Sequence, residues 1–191
     1  MKARQSSEYA VLGMLSLRPM SGYDIRKAVQ QGVQYFWSES YGQIYPALKR
    51  LEAQKLVERL RGAQNGRAGR QVFALTRTGR QELQAWIARE PQIQPIRNEL
   101  LLKLFFGRLA PRESCEEHVR QFRRGQEDFL QNYRQVELWL NKERKGHPDL
   151  PFWKMTLSFG VHQARALRDW CDETLVALEK SGKVRTKRKR G

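Results

Sequence analysis

Residues 40–76 read SYGQIYPALKRLEAQKLVERLRGAQNGRAGRQVFALT and join a helical pattern to a hairpin pattern. In the first half, apolar residues recur at the spacing of one buried helical stripe, which predicts a helix over residues 40–55. Residues 57–61 and 70–75 then alternate in the manner of half-buried strands. The glycine-rich sequence between them predicts a flexible turn that carries arginines. The stretch therefore predicts one helix followed by a basic β-hairpin.

Three further helices are predicted around this stretch, over residues 7–17, 22–31 and 77–89. Ser21 and Asp24 form a variant of the capping box at the start of the second of these helices. The N-cap candidates are Ser6 or Ser7, Ser21 and Thr76. Three helices, a hairpin and a fourth helix, in that order, predict a winged helix-turn-helix. In that fold a helix enters the major groove of DNA and the wing reaches flanking phosphates.

Positive charge is concentrated in two places. The formal net charge is +16 over 191 residues. Lysine plus arginine exceeds aspartate plus glutamate by 15 to 7 over residues 1–90, by 15 to 13 over residues 91–180 and by 6 to 0 over residues 181–191. We therefore expect a polyanionic partner to meet the N-terminal part of the chain.

These patterns divide the chain into four segments. We predict a winged helix-turn-helix DNA-binding domain over residues 1–90, a proline-containing linker over 91–96, a helical dimerisation domain over 97–180 and a disordered basic tail over 181–191. The predicted fold class is mainly α with a small β-wing, an N-terminal winged helix-turn-helix followed by a C-terminal helical dimerisation arm.

The candidate DNA-binding surface consists of the polar face of the helix over 40–55 and the tip of the wing. Arginines on a glycine-rich tip gain little from folding, so an external anion is their natural partner. Tyr45 has a competing role in packing on the preceding helix. Ser38 and Ser40 serve either as plain helix caps or as phosphate contacts. The predicted DNA-binding residues are Ser38, Ser40, Tyr41, Gln43, Tyr45, Lys49, Arg50, Arg67 and Arg70.

Three stretches resemble the PadR family of transcriptional regulators, namely SGYDI (21–25), FWSESYGQIYPALKRLEAQKLV (36–57) and ALTRTGRQEL (74–83). Two later stretches, RNELLLKLFFGRL (97–109) and PFWKMTL (151–157), resemble the long-armed branch of that family, which includes a phenolic-acid-responsive repressor. The resemblance spans about residues 5–180.

The resemblance implies a homodimeric repressor that binds an inverted repeat in double-stranded DNA and is released by a small effector or another signal. It also implies that Gln43 and Tyr45 lie in the recognition helix, where Lys49 and Arg50 follow them. Effectors differ across the family, so phenolic-acid sensing is not implied for this chain.

Two heptad series run through the C-terminal half, one from Cys115 and one from Trp153, with turn residues 146–148 between them. They predict an antiparallel helix pair. Such a hairpin has too little core to stand alone, so we expect a second subunit; packing on the N-terminal domain of the same chain is the alternative. The predicted dimerisation residues are Val119, Phe122, Phe129, Tyr133, Val136, Leu140, Leu157, Ala164, Leu167 and Leu178.

Aromatic residues near the predicted domain junction form a candidate pocket for a small aromatic effector, with ordinary core packing as the alternative. Its residues are Trp37, Trp86, Phe105, Phe106, Phe152 and Trp153. Nucleotide-binding and metalloprotease motifs are absent from the sequence and its histidines are scattered, so we predict no enzyme, cofactor or metal site.

The predicted location is the cytoplasm; the resemblance implies that it is bacterial, with association to the nucleoid when DNA is bound. Cys115 and Cys171 are far apart in sequence, which favours buried free thiols in a reducing compartment. Apolar runs fall short of the roughly 18 residues that a membrane span requires.

The predicted function is sequence-specific regulation of transcription by DNA binding. Two alternatives stay open: a nonspecific architectural nucleic-acid binder that relies on its basic tail, and a winged-helix protein-interaction adaptor.

Overall fold

The computed structural model describes residues 6–32, 41–60, 71–91 and 97–188. Seven α-helices, three strands and one 3-10 turn lie in these ranges. In chain order they are α1 (Ser6–Leu17), β1 (Met20–Ser21), α2 (Gly22–Gly32), α3 (Tyr41–Ala53), β2 (Val57–Arg59), β3 (Val72–Leu75), α4 (Arg77–Ile87), α5 (Glu99–Phe105), the 3-10 turn Gly107–Leu109, α6 (Arg112–Glu143) and α7 (Leu150–Arg188). The predicted fold class, mainly α with a small β-wing, is confirmed.

The chain divides into two compact units, which we call the winged unit (residues 1–93) and the arm (residues 94–191). In the winged unit the three strands form an antiparallel sheet in the order β1-β3-β2. The strand β1 was not predicted, because two residues are too few to show an alternating pattern. It exists through its pairing with β3, in which Met20 lies opposite Phe73.

Local side-chain hydrogen bonds fix two helix starts as predicted. At α2, the Asp24 backbone N–H donates to Ser21 Oγ at 3.2 Å, and Asp24 Oδ2 accepts from the Ser21 N–H at 3.2 Å. This reciprocal pair is a capping box. At α4, Thr76 Oγ1 accepts from the Gly79 N–H at 3.0 Å. Each bond satisfies a backbone donor that the first helical turn leaves unpaired.

The helix α3 ends at Ala53, two residues earlier than predicted. Lys55 has a positive φ of 59°, and the Leu56 N–H donates to the Leu51 carbonyl at 2.9 Å. A left-handed residue just past a helix turns the chain away from the helix axis. The chain is thereby directed into β2, which starts at Val57.

The core of the winged unit collects apolar side chains from all of its described helices and from the sheet. Tyr9 joins α1 to α4, because its ring stacks on Trp86 at 4.6 Å and its hydroxyl donates to Glu82 at 2.9 Å. The buried core residues are Tyr9, Val11, Leu12, Leu15, Met20, Ile25, Val29, Ile44, Ala47, Leu48, Leu51, Leu56, Val57, Phe73 and Leu83.

The arm is built on an antiparallel hairpin of α6 and α7. Tyr133 of α6 lies over Gly160 of α7, where a Cβ would stand 2.7 Å from the tyrosine ring. Arg123 Nε donates to Asp172 Oδ1 at 2.6 Å between the two helices. The turn between them contains Gly146 with a φ of 81°, a conformation that glycine adopts at little cost.

The helix α7 continues to Arg188, so the prediction of a disordered tail from residue 181 is wrong for residues 181–188. Lysine and arginine are good helix formers, so a basic sequence propagates a helix that is already formed. Residues 189–191 lie outside the described part of the chain. In the described residues, none of the helices has the length and apolar character needed to span a lipid bilayer.

Candidate nucleic-acid interface

The helix α3 turns one polar face to solvent and one apolar face to the core. Ile44, Leu48 and Leu51 are buried, as the helical period predicts. The opposite face carries exposed Gln43, Tyr45, Lys49 and Arg50. Pro46 is the sixth residue of the helix and has no N–H, so α3 lacks the bond that residue 46 would otherwise donate to the Gly42 carbonyl. The four residues predicted for the recognition helix therefore share one exposed surface, which we call the α3 face.

Two members of the α3 face are held by the first turn of α1. Ser7 Oγ donates to Gln43 Oε1 at 2.8 Å. Arg50 Nε donates to Glu8 Oε1 at 2.5 Å, and the Glu8 side chain is buried. Sequence analysis missed the roles of Ser7 and Glu8, because no local signal links residues that are 36 and 42 positions from their partners.

Tyr45 combines its two predicted roles. A Cβ at Gly22, the first residue of α2, would stand 2.8 Å from the Tyr45 ring, so the ring packs on the start of that helix. The side chain is still 41% exposed. The glycine makes this close approach possible, and the tyrosine keeps an edge in solvent.

Part of the predicted surface lies outside the described residues. This applies to Ser38, Ser40, Arg67 and Arg70, and of Tyr41 only the position as first residue of α3 is described. The described part of the winged unit carries further exposed cations beside the predicted ones. They include Arg26 and Lys27 on α2 and Arg77 and Arg80 on α4. The sequence could have indicated the two cations on α2, because the first helix of a helix-turn-helix crosses the DNA backbone.

Comparison with known families decides what this arrangement belongs to. The PadR-like transcriptional regulator family matches residues 11–85, and the family described as virulence activator alpha, C-terminal, matches residues 96–179. Residues 11–85 of the chain therefore form a PadR-like transcriptional regulator domain. The first match covers the winged unit with the α3 face, and the second covers most of the arm.

Curated relatives extend the similarity of this PadR-like regulator over nearly the whole chain. The negative transcriptional regulator PadR of Bacillus subtilis is 26% identical over 91% of this chain and 97% of the relative. A probable transcriptional regulator of Mycobacterium tuberculosis is also 26% identical, over 90% of this chain and 96% of the relative. Both relatives are named as regulators and neither as an enzyme, in agreement with the sequence analysis.

Solved structures show the same fold. Bacillus subtilis PadR in complex with operator DNA superposes with a TM-score of 0.78 at 24% identity, covering 91% of this chain and 99% of that one. The same protein with p-coumaric acid gives a TM-score of 0.71 at 23% identity, covering 93% and 99%. The Vibrio cholerae virulence activator AphA gives 0.74 at 23% identity, covering 92% and 99%.

Part of the predicted dimer surface is buried inside the arm of this PadR-like regulator. Val119, Tyr133, Leu140 and Ala164 are buried within the chain itself, so they are not available to a partner. Heptad positions pack the two helices of the hairpin against each other first. The half-buried positions are Phe122, Val136, Leu157, Leu167 and Leu178, and Phe129 is exposed.

The predicted aromatic pocket is not assembled within the arm. Phe105 and Phe106 pack edge to face at 5.0 Å before the start of α6. Trp153 stacks on His147 at 4.5 Å, beyond the other end of α6, and Phe152 is its neighbour in sequence. The 32 residues of α6 span about 48 Å, so these two pairs lie at opposite ends of the hairpin.

The two tryptophans predicted for this pocket in the winged unit have separate outcomes. Trp86 stacks on Tyr9 within the winged unit, which is the ordinary packing left open as the alternative. Trp37 lies outside the described residues.

Charge pairs on the arm shift several titrating groups. A hydrogen bond from Arg123 lowers the pKa of Asp172 below its usual value, and a hydrogen bond from Arg124 does the same to the pKa of Glu117. Burial raises the pKa of the Cys171 thiol, which keeps that cysteine protonated. In the described residues, no group of three or more histidine, cysteine or acidic side chains is placed to hold a metal ion.

Proposed function

We propose that this PadR-like regulator is a homodimeric, sequence-specific repressor that binds an inverted-repeat operator and is released by a small effector. The observation that carries the proposal is the α3 face, on which Gln43, Tyr45, Lys49 and Arg50 stand exposed on one side of a helix that is anchored in a compact core. Regulation of transcription through DNA is the shared property of the family. Repression, the dimer, the operator symmetry and the effector are our extensions.

The chemistry of the α3 face suits a major groove. The glutamine and tyrosine supply hydrogen-bond donors and acceptors for base edges, and Lys49 and Arg50 supply cations for phosphates or guanine. The residues span about two helical turns, so they reach only a few base pairs. A second copy is therefore needed for a site long enough to be selective.

The exposed apolar surface of the arm supports a dimer. Phe105 and Leu109, next to the start of α6, are 82% and 81% exposed. On α7, Phe152, Met155 and Phe159 follow one another at helical spacing and are all exposed. Monomeric proteins rarely leave so many large apolar side chains in water. We infer that a second copy of the arm covers them, because two-fold pairing of identical arms also matches an inverted repeat.

Selection of bound duplexes from a random pool tests the DNA-binding part. We expect an inverted repeat with half-sites about one helical turn, or a multiple of it, apart. Replacing Lys49 by Ala should weaken binding and reduce the slope of log affinity against log salt by about one. Lys142→Ala, at an exposed lysine of α6, is the matched control and should change neither. A pool without any common motif would reject sequence-specific binding.

A groove between α5 and α6 is the proposed effector site. It has a volume of about 390 Å³ and lies among Leu100, Lys103, His118, Phe122 and Phe129. Lys103 and His118 stand beside aromatic rings there, an arrangement that suits a small aromatic carboxylate. Glu99 also lines the groove and bonds to Lys103 at 2.9 Å, so the ligand carboxylate would compete with Glu99 for that lysine. This site lies wholly in the arm and shares none of the residues of the predicted pocket.

Titration with p-coumaric acid and with benzoate tests this site. We expect saturable binding that releases the selected operator, and we expect Lys103→Ala to weaken it about tenfold through loss of a charge-assisted contact. Lys154→Ala, on the exposed surface of α7, should leave binding unchanged. Release of operator with equal potency from both variants would place the effector elsewhere.

Repression itself is tested by transcription in vitro from a promoter that overlaps the selected site. We expect less transcript as the protein is added, by analogy with the Bacillus subtilis relative that is named a negative regulator. An increase in transcript would make the protein an activator and would reject this part of the proposal.

Deletion of residues 181–191 separates the specific regulator from a nonspecific architectural binder. The deletion removes 6 of the 16 net positive charges. A specific regulator should lose general affinity for DNA but keep its preference for the selected site, because the bases are read by α3. An architectural binder should lose most of its affinity for every duplex.

A further inference from the structure

The first turn of α1 presents two buried polar residues to the α3 face. Ser7 is 8% exposed and its hydroxyl donates to Gln43 Oε1 at 2.8 Å. Glu8 is 4% exposed and accepts from Arg50 Nε at 2.5 Å. Buried polar side chains are costly unless they are hydrogen-bonded, so both contacts are fixed features of the folded unit.

The two contacts act together on one surface. Gln43 and Arg50 are seven residues apart, which is about two turns and returns to the same side of α3. The Glu8–Arg50 ion pair thus joins α1 to α3 about two helical turns along α3 from the Ser7–Gln43 bond. In the structure the carboxamide of Gln43 is oriented with its oxygen toward α1, where it accepts from Ser7.

We propose that Ser7 is a positioning residue that makes Gln43 present its NH₂ group to DNA and so select guanine over adenine in the base pair that Gln43 reads. The inference rests on the proposed function, in which the α3 face enters the major groove. It adds which base is selected and assigns the choice to a residue outside the recognition helix.

The base edges explain the choice. In the major groove guanine offers two neighbouring acceptors, N7 and O6, to an incoming NH₂ group. Adenine offers N7 beside its own N6 donor, which repels such a group. A glutamine amide that is not held pairs with adenine through both of its ends, because its oxygen accepts from N6 and its NH₂ group donates to N7. Anchoring the oxygen on Ser7 opposes that second arrangement.

Binding-site selection with four forms of the full-length protein tests the proposal. The wild-type protein should prefer guanine over adenine by about tenfold in binding at one base pair of each half-site. Gln43→Ala should lose the preference at that same pair, which identifies it. Ser7→Ala should shift the preference there from guanine to adenine and leave the other positions of the motif unchanged. Ser16→Ala, which removes a hydroxyl that donates to the Gly13 carbonyl within α1, should keep the wild-type motif.

Two further variants separate the loss of the hydrogen bond from poor folding of the alanine variant. Ser7→Thr keeps the hydroxyl and should keep guanine. Ser7→Cys keeps the size but donates weakly, so it should move toward adenine even if the alanine variant folds poorly. A purely structural role of Ser7 would lower affinity at all positions equally and would move no base preference.

The outcomes separate this inference from the proposed function. Wild type without any selected motif rejects the proposed function. Wild type with a motif that the Ser7 variants leave unchanged, or with adenine already preferred at the Gln43 pair, overturns the positioning role of Ser7 and leaves the proposed function standing.

Discussion

The winged unit and the arm bury their apolar residues to different extents. Of the described residues, fifteen buried hydrophobic side chains form the core of the winged unit, whereas six lie in the arm, although its two long helices have 32 and 39 residues. The winged unit surrounds its apolar residues with four helices and a sheet. The arm has one helical hairpin and leaves large aromatic side chains in water. The difference leads us to expect that the winged unit is stable by itself, and it supports the proposal that a second copy covers the arm.

We expect the largest effect from substitutions on the exposed apolar surface of the arm, because they test whether a partner covers it. Replacing both Phe152 and Phe159 by Glu should raise the dimer dissociation constant about 100-fold or more, because each buried aromatic anchor contributes strongly to an interface. Sedimentation measures the change, and operator affinity should fall with it because one α3 face reads too few bases. Ile87→Glu, at an exposed apolar residue of α4, is the control and should stay dimeric. A double variant that remains a dimer would refute the proposed interface.

Two glycine-to-alanine changes sharpen the contrast in packing. At Gly79 of α4 a Cβ would stand 2.0 Å from the Leu56 carbonyl oxygen, whereas at Gly125 of α6 nothing lies within 4 Å. We expect Gly79→Ala to lower the free energy of unfolding by about 3 kcal/mol or more, through overpacking against backbone. Gly125→Ala should raise it by about 0.5–1 kcal/mol, through helix propensity. Urea denaturation measures both, and equal effects would show that the two units are packed alike.

Truncation of one buried leucine in each unit separates intrinsic from partner-dependent stability. Leu48→Ala in α3 and Leu140→Ala in α6 should each cost about 2–5 kcal/mol. Only the unfolding of the arm should depend on protein concentration, because dimerisation is linked to its folding. Thermal unfolding at two concentrations tenfold or more apart tests this. A concentration-independent midpoint for the arm would mean that it folds without a partner.

We expect the smallest effect in the dependence of arm stability on acidic pH. Because Arg123 lowers the pKa of Asp172, their bond stabilises the hairpin above the unfolded pKa of 3.8, and the stabilisation is lost as the pH falls through the lower folded value. Asp172→Asn should therefore reduce arm stability at neutral pH and show a shallower loss of stability below about pH 4. The exposed pair is screened by solvent, so the change should be small. Asp128→Asn, at another exposed aspartate of the arm, is the control.

Sequence by itself determined most of the elements and the polar face of α3. The periodicity of Ile44, Leu48 and Leu51 and the caps at Ser21 and Thr76 are local properties, since each depends on residues within one or two helical turns. Such signals survive without knowledge of the rest of the fold. The same holds for the hairpin turn at Gly146, which breaks the two heptad series.

Only the tertiary structure decided which surfaces these elements share. The heptads predicted that α6 and α7 each pack on a helix, but not that Val119 and Tyr133 would face their own chain while Phe159 stays exposed. The strand β1 forms through its pairing with β3, and Ser7 and Glu8 meet the α3 face across more than thirty residues. Contacts of this kind depend on the tertiary packing of segments that are distant in sequence, and no short stretch of sequence encodes that packing.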